Sequence, residues 1–234
     1  MVETRVEKKS DEIRIPIGRL RQNPWIICTI LLAILLVIML FVKSGGSTST
    51  SISADQAGKS VIGYRAPGFS ITPQTEWAFD ILANHGFKYD SSIFPGKRDF
   101  GHYNSFNKEP VIVKTASHDI IEFPQTLFDF GLFKFSCFGG GYFRLFPGFF
   151  IKILSERIIN NNKPLIIYMH PRDMDINQPK FHFPLVKKIR FYINISKTGN
   201  KLDNITRYIH FKSFETVLSD ASFMESLQQY NIKN

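Results

Sequence analysis

The chain has 234 residues, 44% of them hydrophobic, and 29 Lys and Arg against 20 Asp and Glu give a formal net charge of +9. That length allows one domain plus attachments, and the apolar content is that of a globular protein. The positive charge does not amount to a nucleic-acid surface, because no stretch shows a dense basic face interleaved with stacking aromatics. The two cysteines, Cys28 and Cys137, fall in different predicted segments, which argues against an intrachain disulfide framework.

Residues 1–24 are polar and predominantly basic, with Arg5, Lys8, Lys9, Arg14, Arg19 and Arg21. Residues 25–42, WIICTILLAILLVIMLFV, then run without a charge for about the length that crosses a bilayer core. A helix is the open segment that satisfies its own backbone there. A signal peptide is the competing reading, but the run starts late, is long for one, and is followed by Lys43-Ser44-Gly45-Gly46 without a small-x-small cleavage site. The excess of basic residues on the amino side predicts a single-pass protein with a cytoplasmic amino terminus and its main domain outside. Residues 43–60 are rich in Gly, Ser and Thr and read as a flexible linker to a domain at 61–234.

Within that domain, residues 61–65 read as a short strand closed by the turn Ala66-Pro67-Gly68. Thr72-Pro73 looks like a helix start and Gly86 a stop, and residues 87–94 return as a strand. Strand, helix, strand at this spacing predicts a βαβ unit and a parallel sheet. The apolar runs at 111–113, 120–123 and 127–135 read as β-rich insertions over the mouth of a site. FGGGYFRLFP, residues 138–147, carries three glycines that let backbone approach a ligand or a turn closely. Residues 148–162 have helical periodicity. They feed LIIYMHPRDMD, residues 165–175, which reads as a buried strand closed by Pro171, with His170 at its solvent end. Beyond it, 189–195 reads as a strand or helix, 202–210 as a helix, and 211–218 as a final strand and turn.

Four blocks, GKSVIGYRAPGFSI, WAFDILANHGFKYDSSIFP, GGGYFRLFP and YMHPRDMDINQPK, stand in the order found in the polysaccharide deacetylase (NodB-homology) family, and the chain resembles its exopolysaccharide-associated branch from Gly58 to about Ser219. The resemblance implies an α/β fold of deformed (β/α)-barrel type and metal-dependent N-deacetylation of an exported or cell-surface polysaccharide. Hydrolysing an acetamide requires an activated water, a stabilised oxyanion and a protonated leaving amine. By resemblance, His170 protonates the amine, Asp90 holds and polarises that imidazole, and Arg65 orients the catalytic carboxylate. Tyr142, Gly140 and Gly141 become candidates for the substrate groove, while Asp173 and Asp175 are expected to anchor the loop.

The family also implies a zinc-type divalent metal, held through a Thr-Phe-Asp-Asp block and a His-x-x-x-His block. Neither block occurs here, and no two of the six histidines, His85, His102, His118, His170, His182 and His210, stand four apart. The expected fold is therefore an incomplete barrel, inactive alone because the metal-binding half is missing. Three readings stay open: the carboxyl-terminal part of a deacetylase whose amino-terminal part is lost, carried on a separate chain or misassigned in the gene, a membrane-tethered pseudoenzyme that binds glycan, and a membrane-anchored structural or assembly protein. Polysaccharide and membrane are the expected partners, and nucleic acid is not.

Overall fold

The computed structural model of the chain describes residues 60–97, 101–129 and 134–232. The predicted basic segment, membrane helix and all but the last residue of the linker lie outside the described residues. Among the described residues, no helix is long and apolar enough to cross a membrane.

Five strands form a mixed, mainly parallel sheet in the order β1, β2, β4, β3, β7. They are β1 (Gly63–Tyr64), β2 (Tyr89–Asp90), β3 (Val111–Lys114), β4 (Ile120–Glu122) and β7 (Gln228–Asn231). β1 pairs parallel with β2, and β2 parallel with β4; β3 runs antiparallel to β4 and parallel to β7. The predicted βαβ unit is present, its crossover helix being α1 (Ala78–Asn84). That helix starts later than Thr72-Pro73 suggests. The Thr75 hydroxyl accepts from Thr72 N at 2.8 Å and donates to Ser70 O at 3.0 Å, so the local side-chain bonds build a turn first. Gly86, at φ +83°, terminates the helix region as expected.

The runs at 111–113 and 120–123 do not overlie the mouth. They supply β3 and β4, the centre of the sheet, because β-branched side chains buried on both faces suit an interior strand. On one face Val111, Val113 and Ile120 pack with Phe79, Leu82, Ile93, Tyr103 and Phe106. On the other, Ile121, Phe123 and Ile166 pack with Tyr89, Phe214, Val217 and Phe223. Phe214, Val217 and Phe223 belong to α6 (Phe214–Leu218) and α7 (Ala221–Glu225), two short helices, the first of which stands where the sequence suggested a strand and turn over 211–218. The Ser213 and Asp220 side chains accept backbone N–H groups of the following turns and so start both helices.

β5 (Phe128–Asp129) and β6 (Lys134–Phe135) pair separately as an antiparallel ribbon. After it come α2 (Gly140–Leu145) and α3 (Gly148–Asn160). The latter matches its predicted span, burying Ile151, Leu154, Ser155 and Ile158 on one stripe. Residues 165–168 are extended but carry a single parallel bridge, Gly139 to Tyr168, in place of a ladder. Side chains take over part of the pairing: Thr126 Oγ1 accepts from Ile166 N at 2.8 Å, and Gln125 Nε2 donates to Ile166 O at 3.3 Å. α4 (Leu185–Tyr192) and α5 (Ile195–Thr206) follow, so the predicted helix at 202–210 is the end of a longer and earlier one. The sheet is open among the described residues, with β1 and β7 at its edges, and no closed barrel is formed.

Candidate functional site

Parallel strands present their carboxyl ends together, and here β1, β2 and β4 end within two residues of Arg65, Ser91 and Phe123. Arg65 Nε donates to Ser91 O at 2.9 Å and Nη2 to Ser91 Oγ at 2.7 Å. Ser91 Oγ in turn donates to Phe123 O at 2.8 Å. One hydroxyl thus ties three strand ends to one guanidinium. The guanidinium carbon also stands 5.8 Å from the ring centroid of Phe69 and 5.7 Å from that of Tyr168, within cation–π range. Arg65 as a residue is exposed, while its charged end is desolvated against these groups. Desolvation lowers its pKa, and the fields of Glu122, Tyr168 and Asp90 oppose that shift.

Asp90 lies behind this mouth and is fully buried, with 0% exposure. The sheet register sets it directly beside Glu122, also at 0%. Asp90 accepts from Ser92 Oγ at 2.6 Å and Ser92 N at 3.2 Å, and Ser92 Oγ accepts from Ala66 N at 2.6 Å. Glu122 Oε1 accepts from Ile93 N at 2.9 Å, whereas Oε2 is buried without a donor among the N–H and O–H groups around it. The two carboxyl groups lie side by side across the β2–β4 pairing, an arrangement that favours retention of a proton by the pair. Burial raises both pKa values, and the Asp90 charge adds to the rise at Glu122. Asp90 therefore does not hold His170, as the resemblance implied: its hydrogen bonds come from Ser92, and Glu122 lies beside it in the sheet.

His170 is exposed at the end of the bridged segment. Its backbone N donates to Asp173 Oδ2 at 3.0 Å, and Asp173 N donates to His170 O at 2.8 Å, a reciprocal turn that fixes where the imidazole leaves the chain. Asp173 is buried and paired with buried Arg144, Nε to Oδ1 at 3.2 Å. Arg144 also donates to the carbonyls of Phe191 at 2.5 Å and Arg190 at 3.0 Å. Asp173 is thus an anchor, as expected, and Asp175 turns the loop by accepting from Asn177 N. The His170 ring stands edge-on to Tyr168 at 5.8 Å, and Tyr168 edge-on to Phe69 at 5.2 Å. Arg65 and His170 are brought to one mouth through the ring of Tyr168.

The glycine tract contributes differently from expectation. Gly139, rather than Gly140 or Gly141, lies flat under Tyr168, and a Cβ there would enter that ring. Gly140 adopts φ +50° and opens α2, whose first turn carries Gly141 and the half-exposed Tyr142. Ser91, Ser92, Glu122 and Arg144 build the site as well, and the signals the sequence carries for them are the Asp-Ser-Ser run and a lone Glu ending an Ile-Ile strand.

The residues present do not fit the metal that the resemblance implies. Catalytic zinc takes three protein ligands, whereas Asp90 and Glu122 are sealed in the core. Among the described residues, no three His, Cys, Asp or Glu side chains group in a way that could hold an ion.

A separate, mainly apolar cavity of about 730 Å³ lies on the α6 side of the sheet, with Tyr89, Phe123, Leu165, Ile167, Tyr208 and Phe214 among its walls.

Neither the curated proteins nor the solved structures contain a match to this chain. A family model does match, and it covers residues 91–219, more than half of the chain, from Ser91 through Glu122, Tyr168 and His170. Arg65 and Asp90 precede the matched range. By that match, the chain belongs to the family described as Domain of unknown function (DUF3473).

Proposed function

We propose that this protein is polysaccharide deacetylase-like and works on an exported or cell-surface polysaccharide. Its sheet is the part of a (β/α)-barrel that this chain contributes, and the chain binds glycan at the mouth formed by Arg65, Tyr168 and His170. The observation that carries this reading is the convergence of a guanidinium, two aromatic rings and an exposed imidazole at the carboxyl end of parallel strands. Aromatic faces accept the apolar C–H surface of a sugar ring, and the charged donors bond its hydroxyl and acetamido oxygens. His170, held from its backbone by Asp173, is the group placed to give a proton to a leaving amine. Asp90 and Glu122 act behind the mouth by holding the strand ends that carry Arg65 and Ser91.

Because these side chains do not fit a metal, hydrolysis of N-acetyl groups requires ligands from elsewhere, and a separate chain supplying the missing half is the partner this reading needs. A non-catalytic glycan-binding role is the second reading, favoured by the same lack of a ligand set among the described residues.

The test is titration of the full chain with N-acetylated hexosamine oligomers, with and without chelator, while free acetate is measured. Binding is expected to survive chelation, and Arg65→Ala and His170→Ala should each weaken it about tenfold, ~1.4 kcal/mol. Failure of every oligomer to bind, or unchanged binding by Arg65→Ala, would overturn the glycan mouth. Zinc-dependent acetate release by the chain alone would overturn the need for added ligands.

A further inference from the structure

Residues 174–192 make a surface whose chemistry is not used by the glycan mouth. The helix α4, Leu185–Tyr192, buries none of its residues, although it is strongly amphipathic in sequence. At 100° per residue, Leu185, Val186 and Ile189 share one side, and all three are exposed, Leu185 at 73%. The helix thus turns its apolar stripe outward. Met174, Ile176 and Phe181 in the preceding loop are exposed as well, Ile176 at 65% and Phe181 at 60%. Apolar exposure this continuous is uncommon on a protein surface that meets only water.

The same surface is basic. Lys180, Lys187 and Lys188 are exposed, and so is Arg172, which lies over the Phe191 ring at 4.5 Å. Lys187 lies over Phe183 at 4.6 Å. These ring contacts hold the cations beside the apolar stripe without neutralising them. Residues 174–192 hold one acid, the exposed Asp175, and Asp173 just before them is buried against Arg144. An apolar stripe edged by cations matches one kind of partner, a bilayer with anionic headgroups over a hydrocarbon boundary.

We infer that residues 174–192 form a second membrane contact, in which α4 lies flat on an anionic bilayer surface with Leu185, Val186, Ile189 and Phe181 inserted at the headgroup boundary. This contact is independent of residues 25–42 and does not require the glycan reading. It would hold the loop that begins at His170 against the membrane surface, so that the mouth meets polymer there.

Because residues 25–42 can hold the full chain on any vesicle, the readout must be local. The full chain is reconstituted into vesicles of phosphatidylcholine alone and of phosphatidylcholine with phosphatidylglycerol, and amide hydrogen exchange is followed across residues 174–192. Slower exchange there is expected only with phosphatidylglycerol, and it should weaken at high salt. The Lys180→Gln/Lys187→Gln/Lys188→Gln triple variant and the Leu185→Glu/Ile189→Glu double variant should each lose that protection. Both change exposed side chains and should leave exchange in the sheet unaltered. Equal exchange in the two vesicle types, or protection retained in either variant, would overturn the inference. So would concentration-dependent protection in detergent without lipid, which would assign the surface to a second copy of the chain.

Discussion

Two carboxyl groups side by side in a core are tolerable only if they keep a proton between them, and Asp90 and Glu122 are in that position. Each has its folded pKa raised above the ordinary value, chiefly by burial. A raised carboxyl binds its proton more tightly when folded. Its contribution to stability is therefore complete below the unfolded pKa near 4 and is lost as pH rises toward the folded value. The thermal midpoint of the chain should fall between about pH 4 and neutrality for this reason. Glu122→Gln keeps the acceptor for Ile93 N and gives Asp90 a permanent donor, so its midpoint should vary less over the same interval. Thermal denaturation of both proteins across that range decides it, and parallel pH profiles would show that the pair does not titrate with folding. The sequence offered Asp90 as a site residue, yet nothing local marks it as buried. Its burial follows from the β2 to β4 register, a nonlocal fact that brings Glu122 from 32 residues away.

At the scale of elements, the segment that ends in His170 is held by contacts from three others, since its own ladder is a single bridge. One hold is steric, the Tyr168 ring lying over Gly139. Gly139→Ala would push that ring away and should cost about 1–3 kcal/mol, as overpacking of a filled site does. The displaced ring also leaves Arg65, so glycan binding should weaken along with stability. A denaturant midpoint equal to that of the unsubstituted chain would mean the ring moves freely. The second hold is ionic. Arg144→Ala leaves Asp173 buried without its cation and should cost about 3–5 kcal/mol, more than the pair itself contributes. Replacing both members by apolar residues of similar volume should recover much of that loss in urea denaturation. Where an element's own residues determine it, the sequence was readable: α3 shows its stripe at Ile151, Leu154 and Ile158, and Gly86 marks a helix end. Where a polar cap or a distant partner determines it, the reading failed. Ser213 turns an apolar run into α6, and β7, sequence QQYN, has no apolar pattern at all. It joins the sheet beside β3, with Tyr230 Oη donating to buried Glu76 at 2.6 Å.

At the largest scale, the consequential feature is that, among the described residues, the sheet is open and its β1 edge adjoins the mouth. A strand added parallel to β1 would end beside Arg65, because parallel strands bring their carboxyl ends to one side. The sequence resemblance implies that carboxylate and imidazole ligands come from such a segment, and the blocks that would carry them do not occur in this chain. The present donors cannot substitute, since Asp90 and Glu122 face the α1 layer with residues of that core around them. Two outcomes are expected together. The full chain, equilibrated with zinc and then desalted, should retain less than one equivalent. A chain carrying the Thr-Phe-Asp-Asp and His-x-x-x-His blocks, added in trans, should raise retention toward one equivalent and bring acetate release with it. Capture should also slow aggregation, because among the described residues no strand pairs with the outer edge of β1, and an unpaired edge favours self-association. His170→Ala separates assembly from chemistry, since its exposed ring is not among the metal ligands that the resemblance assigns. That variant should still assemble and retain zinc while acetate release falls by about 10²-fold or more, the scale of losing a general acid. Stoichiometric zinc retention by the chain alone would refute this division of the site, and trans assembly with undiminished activity in His170→Ala would remove the imidazole from the mechanism.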